Sequence, residues 1–235
     1  MDPYAWSRDP DALVLVPVLL VAYLASLRDF PAPRWRIGCA ASGLGLLAAV
    51  FVSPLDNLAR HYLLTAHLLQ NVVVAEWAPG LVVLGVSPAL AARLPSPSPF
   101  LALPVWLGTT FAWHVPWAYD AALRRPDTLL HLEHICYFLA GLLLWWPVVH
   151  GRLRTGTKAA YLFAAFVLGS PLGLLLALLP SAVYSFYKAG PGLWGLAPLT
   201  DQQIAGVTMA VEQAVVFFAA FAFVMARFLR EDGAT

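Results

Sequence analysis

Apolar runs separated by short polar breaks give the chain its rhythm, at approximately 11–28, 36–53, 58–86, 101–121, 127–149, 159–183 and 201–228. Each run is close to the roughly 20 residues a helix needs to cross a bilayer. The pattern predicts an all-α fold, a polytopic membrane protein whose seven transmembrane helices form one bundle and one integral membrane domain over 1–235. Seven crossings put the two termini on opposite sides. The third run is long and carries Pro79 and Gly80, so it is expected to kink or end early. Asp127 before "TLLHLEH" reads as an N-cap, and Thr200 with Gln203 as a capping box. "LPSPSPF" reads as a linker, and no convincing internal repeat is present.

Composition supports this picture. Hydrophobic residues make up 60% of the 235 positions and charged residues 11%, against roughly a half and a quarter in a soluble domain. A net charge of +1 without a basic cluster argues against nucleic-acid binding. The two cysteines, Cys39 and Cys136, lie inside apolar runs and form no CxxC motif. The leader "MDPYAWSRDPD" holds three Asp and one Arg, unlike the basic start of a cleaved signal, so the first run is expected to remain as a helix. Nine Lys and Arg fall on the side of the odd-numbered connections and the tail, and five on the other. Positive-inside bias then puts the amino terminus outside and the carboxyl terminus in the cytoplasm.

Depth along the predicted helices brings four of the six histidines together. At about 1.5 Å of rise per residue, His67 lies about 13 Å below the outer end of the third run, His114 about 10 Å below that of the fourth, and His131 and His134 about 6 and 10 Å below that of the fifth. His61 marks the mouth of the third run and His150 the opposite face. His131 and His134 share a helix face at i, i+3, as a ligand pair requires, and His67 shares a face with Asn71. Ionisable groups inside a membrane usually serve a functional cavity, and imidazole is the commonest neutral ligand of metal centres. The set His67, His114, His131 and His134 is therefore a candidate metal or haem site, zinc being one metal that imidazole suits. The bland alternative is that the histidines only join helices by hydrogen bonds.

Other polar residues have local readings. Glu133 points about 100° away from His134, and is expected beside Arg124 or Arg125 as a supporting group. H-x-E-H is also not a metalloprotease arrangement. Asp56 and Asp201 stand at the outer mouths of the third and last runs, to cap a helix or attract a cation. Asp201, Ala205, Thr208 and Glu212 form one stripe down the last run. Trp113, Trp117 and Tyr119 are expected at the outer interface, and Trp145 and Trp146 at the inner one. Cys136 reads as a core filler.

The segments "SPLDNLARHYLLTAHLLQN", "WHVPWAYDAAL", "LHLEHICYFLAGLLLWWPV" and "WGLAPLTDQQIAG", in this order over roughly residues 50–210, resemble the CtaG family of cytochrome c oxidase assembly factors. The resemblance implies a seven-helix protein of the bacterial inner membrane that serves maturation of the oxidase and handles its copper, with roles for His67, His114, His131, His134 and Asp201. One departure is local. The family's third-helix motif commonly reads A-H-M-x-Q-H, whereas this chain has "AHLLQN", with Leu68 and Asn71 replacing a thioether and an imidazole.

The expected function is therefore assembly of cytochrome c oxidase, with copper held in an outward-facing histidine pocket. Asn71, Asp56, Glu133, Asp201 and Glu212 would support that pocket or its entry. Oxidase subunits or their other assembly factors are the expected partners, within the lipid bilayer. A metallochaperone role is expected rather than catalysis. A membrane metalloenzyme or haem-bearing redox protein using the same histidines, and a structural assembly partner without metal, are the alternatives.

Overall fold

The computed structural model describes residues 2–232. Its helices, in chain order, are α1 (Asp11–Asp29), α2 (Arg34–Val52), α3 (Pro54–His61), α4 (Leu64–Gly85), α5 (Pro88–Ala91), α6 (Pro99–Trp113), α7 (Pro116–Arg124), α8 (Pro126–Val149), α9 (Thr155–Leu178), α10 (Ser185–Ala189) and α11 (Pro198–Asp232). No strand occurs among the described residues. Six helices, α1, α2, α4, α8, α9 and α11, are long and apolar enough to cross a membrane, and α6 is a shorter apolar helix.

Proline decides where many helices start. Pro54, Pro88, Pro99, Pro116, Pro126 and Pro198 each occupy the first helical position, where the missing N–H is no loss and φ is already helical. Two expected spans are broken, one of them by a proline. Pro116 forces Val115 into extended backbone, so 101–121 becomes α6 and α7 with His114 at the joint. The run from 58 is interrupted at Tyr62 and Leu63, where the backbone leaves helical geometry. Pro126 likewise opens α8, which leaves Asp127 inside the first turn rather than at the cap. Pro198 opens α11 and places Thr200 within the helix, so the expected capping box does not form. The adjacent Gln202 is used instead, its Oε1 accepting Val183 N–H at 2.7 Å and its Nε2 donating to Leu176 O at 3.2 Å.

The most interior of the six long helices is α4. Pro79 does not end it, because a π-turn over Val73–Trp77 precedes the proline and helix continues to Gly85. Such a turn releases backbone carbonyls that membrane neighbours must satisfy. Trp145 on α8 donates its Nε1–H to Glu76 O at 2.8 Å. Gly141 brings the α8 backbone so close that an added Cβ would lie 2.2 Å from Ala75 O. Trp145 is thus a buried donor and not the interface anchor its position suggests. A second close approach joins α9 to α11, where a Cβ on Gly173 would lie 2.9 Å from Gly206 O. Small residues of this kind let membrane helices pack by their backbones.

The outward faces of α1, α9 and α11 carry exposed Leu, Val and Phe such as Val21, Leu175 and Phe218, which suits helices bathed in lipid. Buried side chains gather into an end built around Leu64, Tyr119, Tyr184 and Tyr187, and an opposite end built around Trp106, Leu144, Trp145 and Phe217. The first of these holds His67 and His114, packed against Tyr119.

Candidate metal centre

The start of α1 is tied down by carboxylates. Asp9 Oδ1 accepts Asp11 N–H at 2.6 Å, and Asp9 pairs with Arg60 of α3. This fixes Asp11 against the first turns of α8, where i, i+3 spacing puts His131 and His134 on one face. Asp11 Oδ2 accepts Nδ1–H of His131 at 2.9 Å and of His134 at 2.8 Å. One ligand atom from each of the three residues lies within 4.8 Å of the others. The His134 side chain is 2% exposed and that of His131 18%, so the site is closed on one side and accessible on the other. Phe51 lies against His134, with ring centroids 4.8 Å apart. His134 Nε2 is buried without a partner.

His67 and His114 form a separate group around tyrosines. Tyr119 is fully buried, not an interface anchor, and its ring lies 5.0 Å from that of His67 and 5.8 Å from that of His114. It stacks on Tyr184 at 4.1 Å. His67 Nδ1 bonds Tyr187 Oη at 3.1 Å, and that hydroxyl donates to Ala59 O at 2.5 Å. Tyr187 Oη is therefore an acceptor toward His67 Nδ1–H, and the other ring nitrogen, Nε2, faces Glu133. That nitrogen stands 3.7 Å from Glu133 Oε1, beyond hydrogen-bond reach. His114 Nδ1 faces Thr110 O at 2.8 Å and Tyr137 Oη at 3.1 Å. The Nε2 atoms of both residues are buried and unpartnered.

The remaining candidates divide. Asn71 faces this second group and donates Nδ2–H to Glu133 Oε1 at 3.1 Å, its Oδ1 being unpartnered. Glu133 is buried against Asn71 and His67 rather than Arg124, which donates to Ser185 Oγ at 3.0 Å. Asp56 Oδ1 accepts from Arg60 Nε at 3.1 Å and Gln70 Nε2 at 3.0 Å. Burial pushes the Asp56 carboxyl above the usual range, and hydrogen bonds from Ser7 and Gln70 oppose the shift. Asp201 spends both oxygens on the start of α4, accepting Leu64 N–H and Thr65 N–H. Glu212 accepts from Trp77 Nε1, far down the bundle. His61 packs against Tyr62, and His150 bonds Val83 O at 2.9 Å near the opposite end.

Two imidazoles and a carboxylate make a donor set that suits a divalent metal such as copper or zinc. The carboxylate that orients the two rings would also bring compensating negative charge to a bound cation. No thiolate or thioether belongs to the triad, and hard or borderline donors of this kind suit divalent ions better than a soft monovalent one. Asp11 escaped the sequence reading because it lies 120 residues from His131 and heads a run that looks like an ordinary first helix. Tyr187 and Glu76 were missed as well. Glu76 was visible as a lone carboxylate inside an apolar run, a signal for function in itself.

Comparison with curated proteins and with solved structures finds no match. A profile described as "Cytochrome c oxidase caa3 assembly factor (Caa3_CtaG)" matches residues 18–231. It spans the helices that carry all four histidines, and leaves Asp11 just outside. The chain therefore belongs to the family of cytochrome c oxidase caa3 assembly factors.

Proposed function

We propose that this protein assists oxidase assembly by holding copper at Asp11, His131 and His134 and passing it on, with the histidine end of the bundle facing outward from the bacterial inner membrane. The observation that supports it best is the convergence of the three ligand atoms within 4.8 Å at a half-accessible edge. Transfer needs exchangeable ligands, and His131 at 18% exposure supplies one open to a receiving protein. Metal entry exchanges the two hydrogen bonds to Asp11 for bonds to the ion. The same donors accept zinc, although the Irving–Williams order favours Cu(II). A bis-histidine haem has less support, since the cavity beside His114 measures about 10 Å³, room for about one water.

A helix-joining role has its own support in the two hydrogen bonds that pin α1 to α8. Cu(II) titration of the purified protein separates the readings. Wild type is expected to take up stoichiometric metal, and His131→Ala or His134→Ala to lose it while remaining folded and inserted. In cells these variants are expected to leave the oxidase short of copper. An oxidase that matures fully with both histidines replaced overturns the copper role. Loss of expression with no separate loss of metal favours helix joining. A reporter fused after Arg230 is expected on the cytoplasmic side, and a periplasmic signal there overturns the outward orientation.

A further inference from the structure

A second polar centre lies deeper in the bundle, away from the histidine triad. Glu76 sits in the π-turn of α4 and is 2% exposed, and Glu212 and Gln213 face it from α11. Gln213 Nε2 donates to Glu76 Oε1 at 2.9 Å, and Trp77 Nε1 donates to Glu212 Oε1. Three oxygens are then left over: Glu76 Oε2, Glu212 Oε2 and Gln213 Oε1 are all buried with no partner. Among the described residues no cation pairs with either carboxyl. Buried acceptors without donors are costly, and an unpaired buried carboxylate more so. Carboxyl protons are the donors that such a cluster lacks.

The centre also has an approach. A cavity of about 830 Å³ runs between α2, α4, α8, α9 and α11, and Glu76, Trp77 and Gly80 line it. Arg36, Lys158 and Arg227 line it as well, at the helix ends opposite the histidines. On its other side Glu76 borders the small cavity that Asn71, Thr110, His114 and Tyr137 also line. These are the charged and titratable groups that face the pair from the neighbouring helices. The π-turn gives this placement a structural origin, because such turns re-aim side chains inside helices and occur often at functional sites.

We infer that Glu76 and Glu212 form a proton-carrying carboxyl pair that exchanges protons with water in the 830 Å³ vestibule. In the exchange a hydronium ion in the vestibule gives a proton to a carboxylate oxygen. One O–H bond breaks, one forms, and neutral water remains. Neither the copper reading nor the triad is needed for this, and the donor set, two carboxyls and an amide, is a poor match for copper.

Infrared difference spectroscopy of the full chain in lipid nanodiscs tests it. At neutral pH the wild type is expected to show the carbonyl stretch of a protonated carboxyl, shifting when H2O is replaced by D2O. Glu76→Gln or Glu212→Gln is expected to remove about half of that band, and either variant serves if the other fails to fold. Ala220→Trp, which fills the vestibule, is expected to slow the deuterium shift at least several-fold. Absence of a band sensitive to Glu76 or Glu212 overturns the inference. A band that moves when Cu(II) is added makes the pair a metal site instead, and unchanged exchange in Ala220→Trp overturns the vestibule route.

Discussion

Asp201 caps a helix to which it does not belong: from the first turn of α11, its Oδ2 accepts Leu64 N–H of α4 at 2.6 Å. Its Oδ1 takes Thr65 N–H at 3.1 Å and Thr65 Oγ1–H at 2.7 Å. Leu63 offers α4 no side-chain cap, so a carboxylate from 137 residues away satisfies the orphan donors and complements the helix dipole. Hydrogen bonds to a buried charge contribute about 2 kcal/mol. Asp201→Ala is therefore expected to lower stability by about that much, and Asp201→Asn by less. Thermal unfolding checks this, with Cu(II) affinity of the folded fraction unchanged. Loss of copper at wild-type stability would make Asp201 a ligand rather than a cap.

Asp11 separates metal binding from helix docking. Asp11→Asn keeps an acceptor and nearly the same volume, so α1 is expected to stay against α8, but the compensating charge is gone. A carboxylate at or beside a metal typically carries 10- to 100-fold in affinity, and Cu(II) affinity is expected to fall by roughly that factor. Competition titration measures it. Unchanged affinity would assign Asp11 to docking alone.

The helices were legible because hydropathy runs report burial in lipid directly. Their interruptions were less so. Averaging over 101–121 smoothed away the effect of Pro116 on Val115, although proline's bias against helix in the residue before it is a local and visible signal. At Pro79 the same signal misled, because the π-turn at Val73–Trp77 and the donor from Trp145 are tertiary features that a single run does not reveal. His131 and His134 were legible as a pair, since i, i+3 spacing fixes their face. Depth alone grouped His67 and His114 with them, whereas the structure puts those two around Tyr119 and gives the pair to Asp11. Distance along the axis says nothing about angle around the bundle, and the contact to Asp11 spans 120 residues.

Backbone contact between α4 and α8 predicts a sharp contrast between two glycines. A Cβ at Gly141 would lie 2.2 Å from Ala75 O and 2.5 Å from Pro79 Cγ, whereas one at Gly45 meets nothing within 4 Å. Gly141→Ala must push the helices apart, at a cost of roughly 1–3 kcal/mol for overpacking. Gly45→Ala is expected to be neutral or to stabilise by up to about 1 kcal/mol through helix propensity. Thermal midpoints of the two variants in the same detergent check the contrast. Equal midpoints would mean that α8 and the backbone at Ala75 separate without cost.

Asn71 stands where the resembled family commonly has a histidine, and the structure gives that difference a defined setting. Its Nδ2 bonds Glu133 Oε1 at 3.1 Å, one helical turn from His67, whose Nε2 stands 3.7 Å from the same oxygen. Asn71→His places a second imidazole beside Glu133 and near His114, whose Nε2 is also unpartnered. Imidazole binds copper far better than an amide does, so the variant is expected to gain a Cu(II) equivalent or to bind the first more tightly. The informative comparison combines Asn71→His with His131→Ala, which disables the triad on α8. Copper retained by the double variant would come from the group around His67, Glu133 and His114. No retained copper in a well-folded double variant would confine the chain's metal binding to Asp11, His131 and His134, leaving the inner histidines to hold α4, α6 and α8 together.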